Sequence, residues 1–419
     1  MIRGDGILKG SLLVKGPRLG EGRAGSSSDD RQTYSSPIVD HLRTHGHSLT
    51  VGRLTLLCAA KFGFCWGVDK AVTMIHEAIA QNPGRRIWLL SPIIHNPSVN
   101  RDLAARGVRF VKDGVAAGGE AGADPFARLR PEDLVVIPAF SAEVEDLEQL
   151  AAIGCTVLDT TCPWVERPHR RTERLVGDGF SLVIHGKVGH DETRATCSLI
   201  RSRGGHYIVV SDLVETDLLC AVLAGAAPRE NLALRLGGAT SPGFDPQLHL
   251  ERIGLVNQTT MLASESREIA HRIAAAMTRR FGAPALKEHF RDFDTICSAT
   301  QENQDAVLEL LASPPLDLMI VVGGYESSNT HNLARIAAAR VPTYHIEEAA
   351  EITAEAIHHR RLDRAECVTT RDWLPPGAVV IGFTAGASTP DNKLGEVIQR
   401  VVEVGGEPVT ALVGTAPPL

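Results

Sequence analysis

Three cysteines in this chain share one local pattern, in which an apolar run is followed by a cysteine and then by a helix-like segment. They are Cys65 in FGFCWGVDKAV, Cys162 in DTTCPWVERPHR and Cys297 in DTICSATQENQDAV. The pattern places each cysteine between the end of a strand and the start of a helix. Free backbone N–H groups and the helix dipole favour a thiolate there, and a thiolate is the form that binds soft metals.

Short apolar runs alternate with helical patterns along most of the chain. The runs are RIWLLSPII, DLVVIPAF, CTVLDTT, FSLVIHG, RIGLVNQ, LDLMIVVGG and AVVIGFTAG. This alternation predicts the α/β class, with parallel sheets joined by crossover helices. Ligand sites in such sheets lie at the carboxyl ends of the strands, which in this chain are followed by small polar residues or histidine.

The polar strand ends recur at matched distances from the cysteines. His95 follows Cys65 by 30 residues, His190 follows Cys162 by 28, and Ser327 follows Cys297 by 30. A further polar strand end then comes in each case, at Ser141, Thr259 and Ser388. The simplest account is three similar α/β domains in a pseudo-threefold trefoil around a central cavity, each contributing one cysteine and two polar loops.

The repeat predicts the domain organisation. We expect an N-terminal extension at 1–50, in which 1–31 is a disordered tail or the product of an upstream translation start and a short amphipathic helix follows. The three α/β domains are expected at 51–155, at 156–290 with an insertion at about 198–252, and at 291–419.

Composition narrows the classes of function. The formal net charge of −7 argues against a broad nucleic-acid-binding surface. No apolar run approaches the roughly eighteen residues of a membrane span, and the N-terminus lacks an apolar signal core. We therefore expect a cytoplasmic protein that binds neither nucleic acid nor membranes. Eight cysteines in such a protein indicate metal ligands or free thiols, and we interpret five as structural: Cys58, Cys155, Cys197, Cys220 and Cys367.

Three thiolates that converge could bind three irons of a 4Fe-4S cluster and leave the fourth iron open to substrate. Two alternatives stay open. The cysteines could be buried structural thiols, or three of them could bind zinc together with a histidine. Their separation by about a hundred residues disfavours zinc, whose ligands usually come in close pairs.

The strand ends also predict an anion site. Hydroxyl, amide and imidazole groups near helix N-termini suit a diphosphate, although any one of these residues could be an ordinary N-cap. They are His95, His190, Thr259, Thr260, Ser327, Ser328, Asn329 and Ser388. Glu192 is the best candidate acid, with Thr259 as its hydroxyl partner, because burial would raise its pKa enough to donate a proton near neutral pH. The alternative is a solvated carboxylate at a helix start.

Eight ordered segments resemble one family. FGFCWGVDKAV, HNPSVNRDL, DTTCPWV, HGKVGHDET, NQTTML, DTICSATQ, GGYESSNTHNL and TAGASTPD resemble segments of the 4-hydroxy-3-methylbut-2-enyl diphosphate reductases. The resemblance runs from about residue 32 to the C-terminus. Trp66 follows Cys65 directly, and Trp164 lies two residues after Cys162. In these two tryptophans the chain resembles the plant and cyanobacterial branch of the family.

The resemblance implies a role for each site residue. Cys65, Cys162 and Cys297 would ligate a 4Fe-4S cluster whose open iron takes the C4 oxygen of the substrate. Glu192 and Thr259 would relay a proton. Thr260 would complete the pocket wall, and the diphosphate would contact His95, His190, Ser327, Ser328, Asn329 and Ser388. The implied reaction is reductive loss of the C4 hydroxyl to give isopentenyl and dimethylallyl diphosphate, with electrons from ferredoxin or flavodoxin.

One position departs from many bacterial members of that family, which have a third histidine where this chain has Glu143. A carboxylate that faced a diphosphate would repel it unless it were turned away or protonated. The plant-like branch also lacks this histidine, so the change affects one substrate contact. The alternative family is quinolinate synthase, which also binds a 4Fe-4S cluster through three cysteines but catalyses condensation and dehydration.

Overall fold

The computed structural model describes residues 13–15, 33–112, 124–312 and 314–413. Apart from a short strand at Leu13–Lys15, the tail predicted over 1–31 lies outside the described residues. Within these ranges no helix is at once long enough and apolar enough to cross a membrane. The chain forms two compact units. The first contains 13–15, Ala78–Ile93 and Leu103–Cys297, and the second contains 33–77, Ile94–Asp102 and 298–413.

The strands are numbered in chain order. They are β1 Leu13–Lys15, β2 Ser48–Val51, β3 Leu54–Cys58, β4 Ile87–Leu89, β5 Arg109–Phe110, β6 Leu134–Ile137, β7 Thr156–Asp159, β8 Ser181–His185, β9 Tyr207–Val210, β10 Ile253–Asn257, β11 Phe290–Asp292, β12 Leu318–Val322, β13 Thr343–Ile346, β14 Ala356–Arg360, β15 Cys367–Arg371 and β16 Val379–Ala385.

The α-helices are numbered in the same way. They are α1 Pro37–Thr44, α2 Trp66–Gln81, α3 Pro97–Ala105, α4 Val144–Ile153, α5 Pro163–Gly177, α6 Asp191–Ser202, α7 Leu213–Leu223, α8 Glu230–Leu236, α9 Pro246–His249, α10 Ala263–Phe281, α11 Leu286–His289, α12 Ser298–Leu310, α13 Ser328–Ala338 and α14 Asp391–Val404. Short 3-10 turns lie at Pro125–Arg128, Gly237–Ala239, Ala283–Ala285, Ala349–Glu351 and Val409–Leu412.

The strands form three sheets. The first unit contains two sheets, with strand orders β1-β7-β6-β4-β5 and β11-β10-β8-β9, and every pairing in both is parallel. The sheet of the second unit has the order β15-β14-β13-β12-β16-β3-β2. Its four central strands are parallel, while β2, β14 and β15 add antiparallel edges. Strands β6, β10 and β12 are buried along their whole length, as parallel strands covered on both faces must be.

The three sheets share one arrangement of four parallel strands. The three orders are β5-β4-β6-β7, β9-β8-β10-β11 and β13-β12-β16-β3. In each of them the second strand of the repeat lies at one end, next to the first strand, and the third and fourth strands follow. In the last order the fourth strand is β3, which comes from an earlier part of the chain. The predicted α/β class and its internal repetition are therefore confirmed. The fourth strand in each case is the one that leads to a cysteine.

The structure divides the repeats differently from the sequence prediction. The predicted boundaries make β3 the opening strand of the first domain, but β3 pairs with β16 and completes the sheet of the second unit. Cys65 therefore belongs to the repeat that contains Ser327 and Ser388. Each cysteine closes a repeat instead of opening one, because the strand before it pairs with the third strand of that repeat. The predicted insertion at 198–252 also includes a regular strand, β9, so the added segment is the helical one between β9 and β10.

The predicted amphipathic helix near the start of the described region is confirmed as α1. Ser36 caps it by accepting a hydrogen bond from the Val39 N–H at 3.4 Å, and proline takes the first helical position. Its residues Ile38, Val39 and Leu42 are buried in the core of the second unit. Helix α1 is therefore anchored to the core of the second unit.

Candidate active site

The three predicted cysteines occupy equivalent backbone positions. Each directly precedes a helix, namely α2, α5 or α12. Their N–H groups donate to carbonyl oxygens, Cys65 to Ala387 at 3.1 Å, Cys162 to Ala139 at 3.0 Å and Cys297 to Thr259 at 3.2 Å. Each acceptor lies two residues beyond the end of the neighbouring parallel strand, which is β16, β6 or β10. The same strand-to-helix junction is thus built three times.

All eight cysteines are free thiols, and their surroundings differ. The three junction cysteines are partly exposed, whereas Cys58, Cys155, Cys197 and Cys220 are buried, as expected for structural thiols. Burial raises the pKa of Cys58 and Cys197 to about 12, so these thiols keep their protons and are poor ligands. The sequence also predicts Cys367 to be structural, but it is exposed on the edge strand β15.

Two opposing effects act on the pKa of the Cys65 thiol. Burial raises its pKa above the ordinary value, while hydrogen bonds from the backbone N–H groups of Gly67 and Val68 act to lower it. The backbone N–H groups thus favour the thiolate as expected, but burial has the larger effect on the pKa. The charge of a bound metal is what would remove the proton.

The sulfur donors of the three junction cysteines are of the type that iron-sulfur clusters use. In the described ranges, no three His, Cys, Asp or Glu side chains are gathered so that they could hold one metal ion. A 4Fe-4S cluster differs because each cysteine binds a different iron, so its sulfurs do not meet at one point. Three soft sulfur donors at equivalent junctions therefore fit such a cluster in donor chemistry.

Glu192 lies in the first turn of α6 and is paired with Thr259, at the end of β10. The Thr259 N–H donates to Oε1 of Glu192 at 2.7 Å, and the Thr259 hydroxyl donates to Oε2 at 2.8 Å. The glutamate residue is only 2% exposed. Burial raises its pKa to about 7, although both hydrogen bonds from Thr259 act to lower it. The alternative of a solvated helix-start carboxylate is therefore wrong.

His190 and Thr260 flank this pair. His190 is the N-cap of α6, and its Nδ1 accepts a hydrogen bond from the Glu192 N–H at 3.2 Å. In the neutral ring the proton is then on Nε2, which is the form that can donate to an anion. The Thr260 hydroxyl accepts from Nε2 of Gln258 at 2.7 Å. Through these contacts the first unit brings Cys297, Thr259, Glu192 and His190 into one hydrogen-bonded chain.

The second unit gathers the predicted hydroxyl and amide residues at the ends of β12 and β16. Ser327 caps α13, and its hydroxyl accepts from the Thr330 N–H at 3.2 Å. Ser328 and Asn329 follow it in the first turn, and both are buried. Among the described residues, the Ser328 hydroxyl and Nδ2 of Asn329 have no hydrogen-bond partner. Buried polar atoms of this kind at a helix N-terminus fit an anion.

Ala387 links this group to Cys65. Its N–H donates to Oδ1 of Asn329 at 2.9 Å, while its carbonyl oxygen accepts from Cys65. The hydroxyl of Ser388 donates to the carbonyl oxygen of His95 at 3.3 Å and lies 3.5 Å from the Ser327 hydroxyl. Asn329 is therefore linked to Cys65 through Ala387, and the adjacent Ser388 contacts His95 and Ser327.

Glycine is required where these loops meet. A Cβ on Gly324 would lie 2.3 Å from the carbonyl oxygen of His95. Gly323 has φ 148°, and a Cβ there would lie 2.4 Å from the Thr389 hydroxyl. Any side chain at either position would push the loops apart.

Two further residues support the site and were not predicted from the sequence. Gln258 accepts hydrogen bonds from the Lys187 N–H at 3.0 Å and the Thr193 hydroxyl at 3.2 Å, so it joins the loops that carry His190 and Thr260. Thr330 is fully buried, and its hydroxyl donates to that of Ser327 at 2.9 Å. Both lie inside the quoted segments NQTTML and GGYESSNTHNL, but the residue type alone does not distinguish a supporting contact from a ligand contact.

Comparison with known proteins agrees with this arrangement. The family model described as LytB protein matches residues 56–402. The 4-hydroxy-3-methylbut-2-enyl diphosphate reductase of Synechococcus sp. (strain RCC307) is 43% identical over 390 residues, which covers 92% of this chain and 93% of the relative. The reductase of the same name from Gloeobacter violaceus is 41% identical and covers 93% of this chain and 92% of its own length.

A solved structure shares the fold. The E-1-hydroxy-2-methyl-but-2-enyl-4-diphosphate reductase from Plasmodium falciparum matches with a TM-score of 0.60 at 18% identity, covering 83% of this chain and 87% of that one. At this identity the likeness concerns the fold alone. Because the family model spans most of the sequence and the relatives match nearly its whole length, this chain belongs to the LytB protein family.

Proposed function

We propose that this chain catalyses the reductive dehydroxylation of (E)-4-hydroxy-3-methylbut-2-enyl diphosphate to isopentenyl and dimethylallyl diphosphate, the last step of the methylerythritol phosphate route. The reaction consumes two electrons and two protons and releases water. One observation carries the proposal: a chain that aligns over 92% of its length with a reductase of this name holds a buried glutamic acid whose pKa is about 7. Such a group can donate a proton at neutral pH.

The proton path follows from the hydrogen bonds of Glu192. Oε1 faces a backbone N–H, which can donate but not accept, so a proton on the carboxyl resides on Oε2. Oε2 faces the hydroxyl of Thr259, which can both accept and donate. We therefore assign the order Glu192 Oε2, Thr259 Oγ1, substrate. Both residues are buried, with Glu192 2% and Thr259 4% exposed.

We assign the contacts of the diphosphate to His95, His190, Ser327, Ser328, Asn329 and Ser388, with Thr260 in the pocket wall. The unpartnered Ser328 hydroxyl and Asn329 Nδ2 support this assignment, since a buried donor without a partner among the described residues costs free energy that a bound anion would recover. The helix start at α13 adds free N–H groups of the kind that bind phosphate.

We assign Cys65, Cys162 and Cys297 as the protein ligands of one 4Fe-4S cluster per chain. When bound, the cluster would supply the electrons one at a time and an iron position open to the substrate. The electron donor would be a small redox protein, ferredoxin or flavodoxin. The chain's own part in this step is to keep the three sulfurs at equivalent, backbone-fixed junctions.

The test is turnover by anaerobically prepared protein with the allylic diphosphate and reduced methyl viologen. We expect both isoprenoid diphosphates as products and no condensation product from quinolinate synthase substrates. Glu192→Gln should keep the cluster and substrate binding but slow turnover severely. A brown protein without reductase activity would overturn the function, and a colourless, zinc-loaded protein would support the zinc alternative.

Mössbauer or EPR spectra with and without the substrate test the cluster separately. Only an iron without a protein ligand should respond to the added diphosphate. Spectra that do not change with substrate would argue against an open iron even if turnover were found.

A further inference from the structure

Helix α6 in the first unit contributes residues to the candidate site and also contacts helix α4. Its N-cap His190 and, in its first turn, Glu192 belong to the site described above. Another of its faces binds the start of α4, through Arg194, Ser198 and Arg201. These three residues are spaced by four and three positions, so they lie on one face of the helix. The start of α4 therefore contacts the helix that bears the proposed acid.

Arg194 makes the contact closest to the acid. Its Nε and Nη2 donate to one oxygen of Glu143, Oε1, at 3.1 and 2.9 Å. Arg194 is two residues beyond Glu192, and its N–H donates to the carbonyl oxygen of His190 at 2.9 Å. It therefore belongs to the same first turn as the acid.

Two cations lie beside the carboxylate of Glu143. Besides Arg194, Nζ of Lys112 lies 3.7 Å from Oε1. Asp146 and Asp191 complete the cluster, at 2.5 Å from Lys112 and 3.8 Å from Arg194. The carboxylate of Glu143 is therefore paired with Arg194 and is not an unpaired charge.

We propose that the Glu143–Arg194 ion pair is a positioning device, which fixes the first turn of α6 so that the carboxyl of Glu192 stays against Thr259. Neither residue of the pair is assigned a contact with the reacting atoms. The inference rests on the proposed function, because it assigns the pair a task in that reaction. It also gives the residue that replaces a histidine a role of its own.

A purely structural role fits the observations less well. The side chains of Arg194 and Glu143 are 43% and 24% exposed, and ion pairs at such sites add little to global stability. The two helices are already joined by a buried contact, in which the Val144 N–H donates to the Ser198 hydroxyl at 2.7 Å. The effect of the outer pair is therefore local, on the turn that holds Glu192.

The kinetic test uses Arg194→Gln and Glu143→Gln, each expected to lower kcat about tenfold, because small displacements of a reacting group are costly. Arg194→Lys should recover part of the loss. In a Glu192→Gln background Arg194→Gln should lower the residual rate no further. The matched control is Arg203→Gln, which breaks a 2.7 Å pair with Glu173 at the other end of the same helix and should leave kcat unchanged.

A second readout does not need turnover. Hydrogen–deuterium exchange of the amides at 191–195 should speed up in Arg194→Gln but not in Arg203→Gln. Equal exchange and equal kcat in the two variants would overturn the inference, as would a loss that adds fully to that of Glu192→Gln. If the parent protein has no reductase activity, the proposed function fails, while the exchange data still decide whether the pair fixes this turn.

Discussion

Thr259 contacts both carboxyl oxygens of Glu192, its N–H on Oε1 and its hydroxyl on Oε2. Both contacts lower the pKa of this carboxyl, burial raises it, and the balance lies at about 7. The loss of one hydrogen bond should therefore move the titration within the pH range of ordinary assays.

Thr259→Val should shift the pH dependence of kcat. The protonated carboxyl is the active form, so activity of the parent protein falls as the pH rises through about 7. Valine removes the hydroxyl bond that lowers the pKa, and the falling limb should move to higher pH while the maximal rate drops with the relay. Rates measured from pH 6 to 9 check this. Thr193→Val is the control, since that buried threonine bonds to Gln258 instead; an equal shift there would contradict the assignment.

Glu192→Gln should make the protein more stable at alkaline pH. The folded-state pKa of about 7 lies above the ordinary value of 4.5, so the folded chain binds the proton more tightly than the unfolded chain. Stability from this group is present below pH 4.5 and is lost as the pH rises through 7, by up to roughly 3 kcal/mol. Chemical unfolding of both proteins at pH 5 and pH 8.5 tests it. A variant that is no more stable at the higher pH would show that the carboxyl ionises freely.

The sequence was sufficient to predict the local features of the site. A cysteine, histidine or serine after an apolar run marks a strand end by short-range pattern, and Cys65, Cys162 and Cys297 all lie at such ends. Helix α1 was equally readable, since Ser36 and Pro37 form a local start signal. These features depend on residues close in the chain.

The pairing of strands that are distant in the chain could not be predicted in this way. Strand β3 pairs with β16, which lies near the other end of the chain. No residue pattern in either segment indicates which strand it pairs with. The contact between Glu143 and Arg194 likewise joins two repeats of the first unit. The sequence raised the question of where that carboxylate points, and only the packing of α4 against α6 answers it.

Ser328→Ala should have opposite effects on stability and on binding. The buried hydroxyl has no partner among the described residues, so its removal should leave the free protein as stable or more stable, by up to about 2 kcal/mol. Loss of a diphosphate contact should weaken substrate binding by about 1 to 3 kcal/mol, or roughly 5- to 150-fold. Thermal unfolding and substrate titration measure the two effects.

Ser327→Ala is the matched comparison for that variant. Ser327 caps α13 and bonds to Thr330, so its loss should destabilise the protein by about 0.5 to 2 kcal/mol as well as weaken binding. If Ser328→Ala destabilised the protein as much as Ser327→Ala, the Ser328 hydroxyl would have a structural partner and not a substrate.

Cys162→Ser should abolish the cluster and the activity, while Cys367→Ser should preserve both. Cys162 caps α5 without using its side chain, and its backbone contact with Ala139 does not involve the sulfur, so the serine variant should still fold. Cys367 is exposed on the edge strand β15 and does not precede a helix. Iron and sulfide content, visible absorption and turnover of anaerobic protein check both variants. The assignment of ligands fails if Cys162→Ser retains a full cluster, or if the exposed cysteine is the one whose loss removes it.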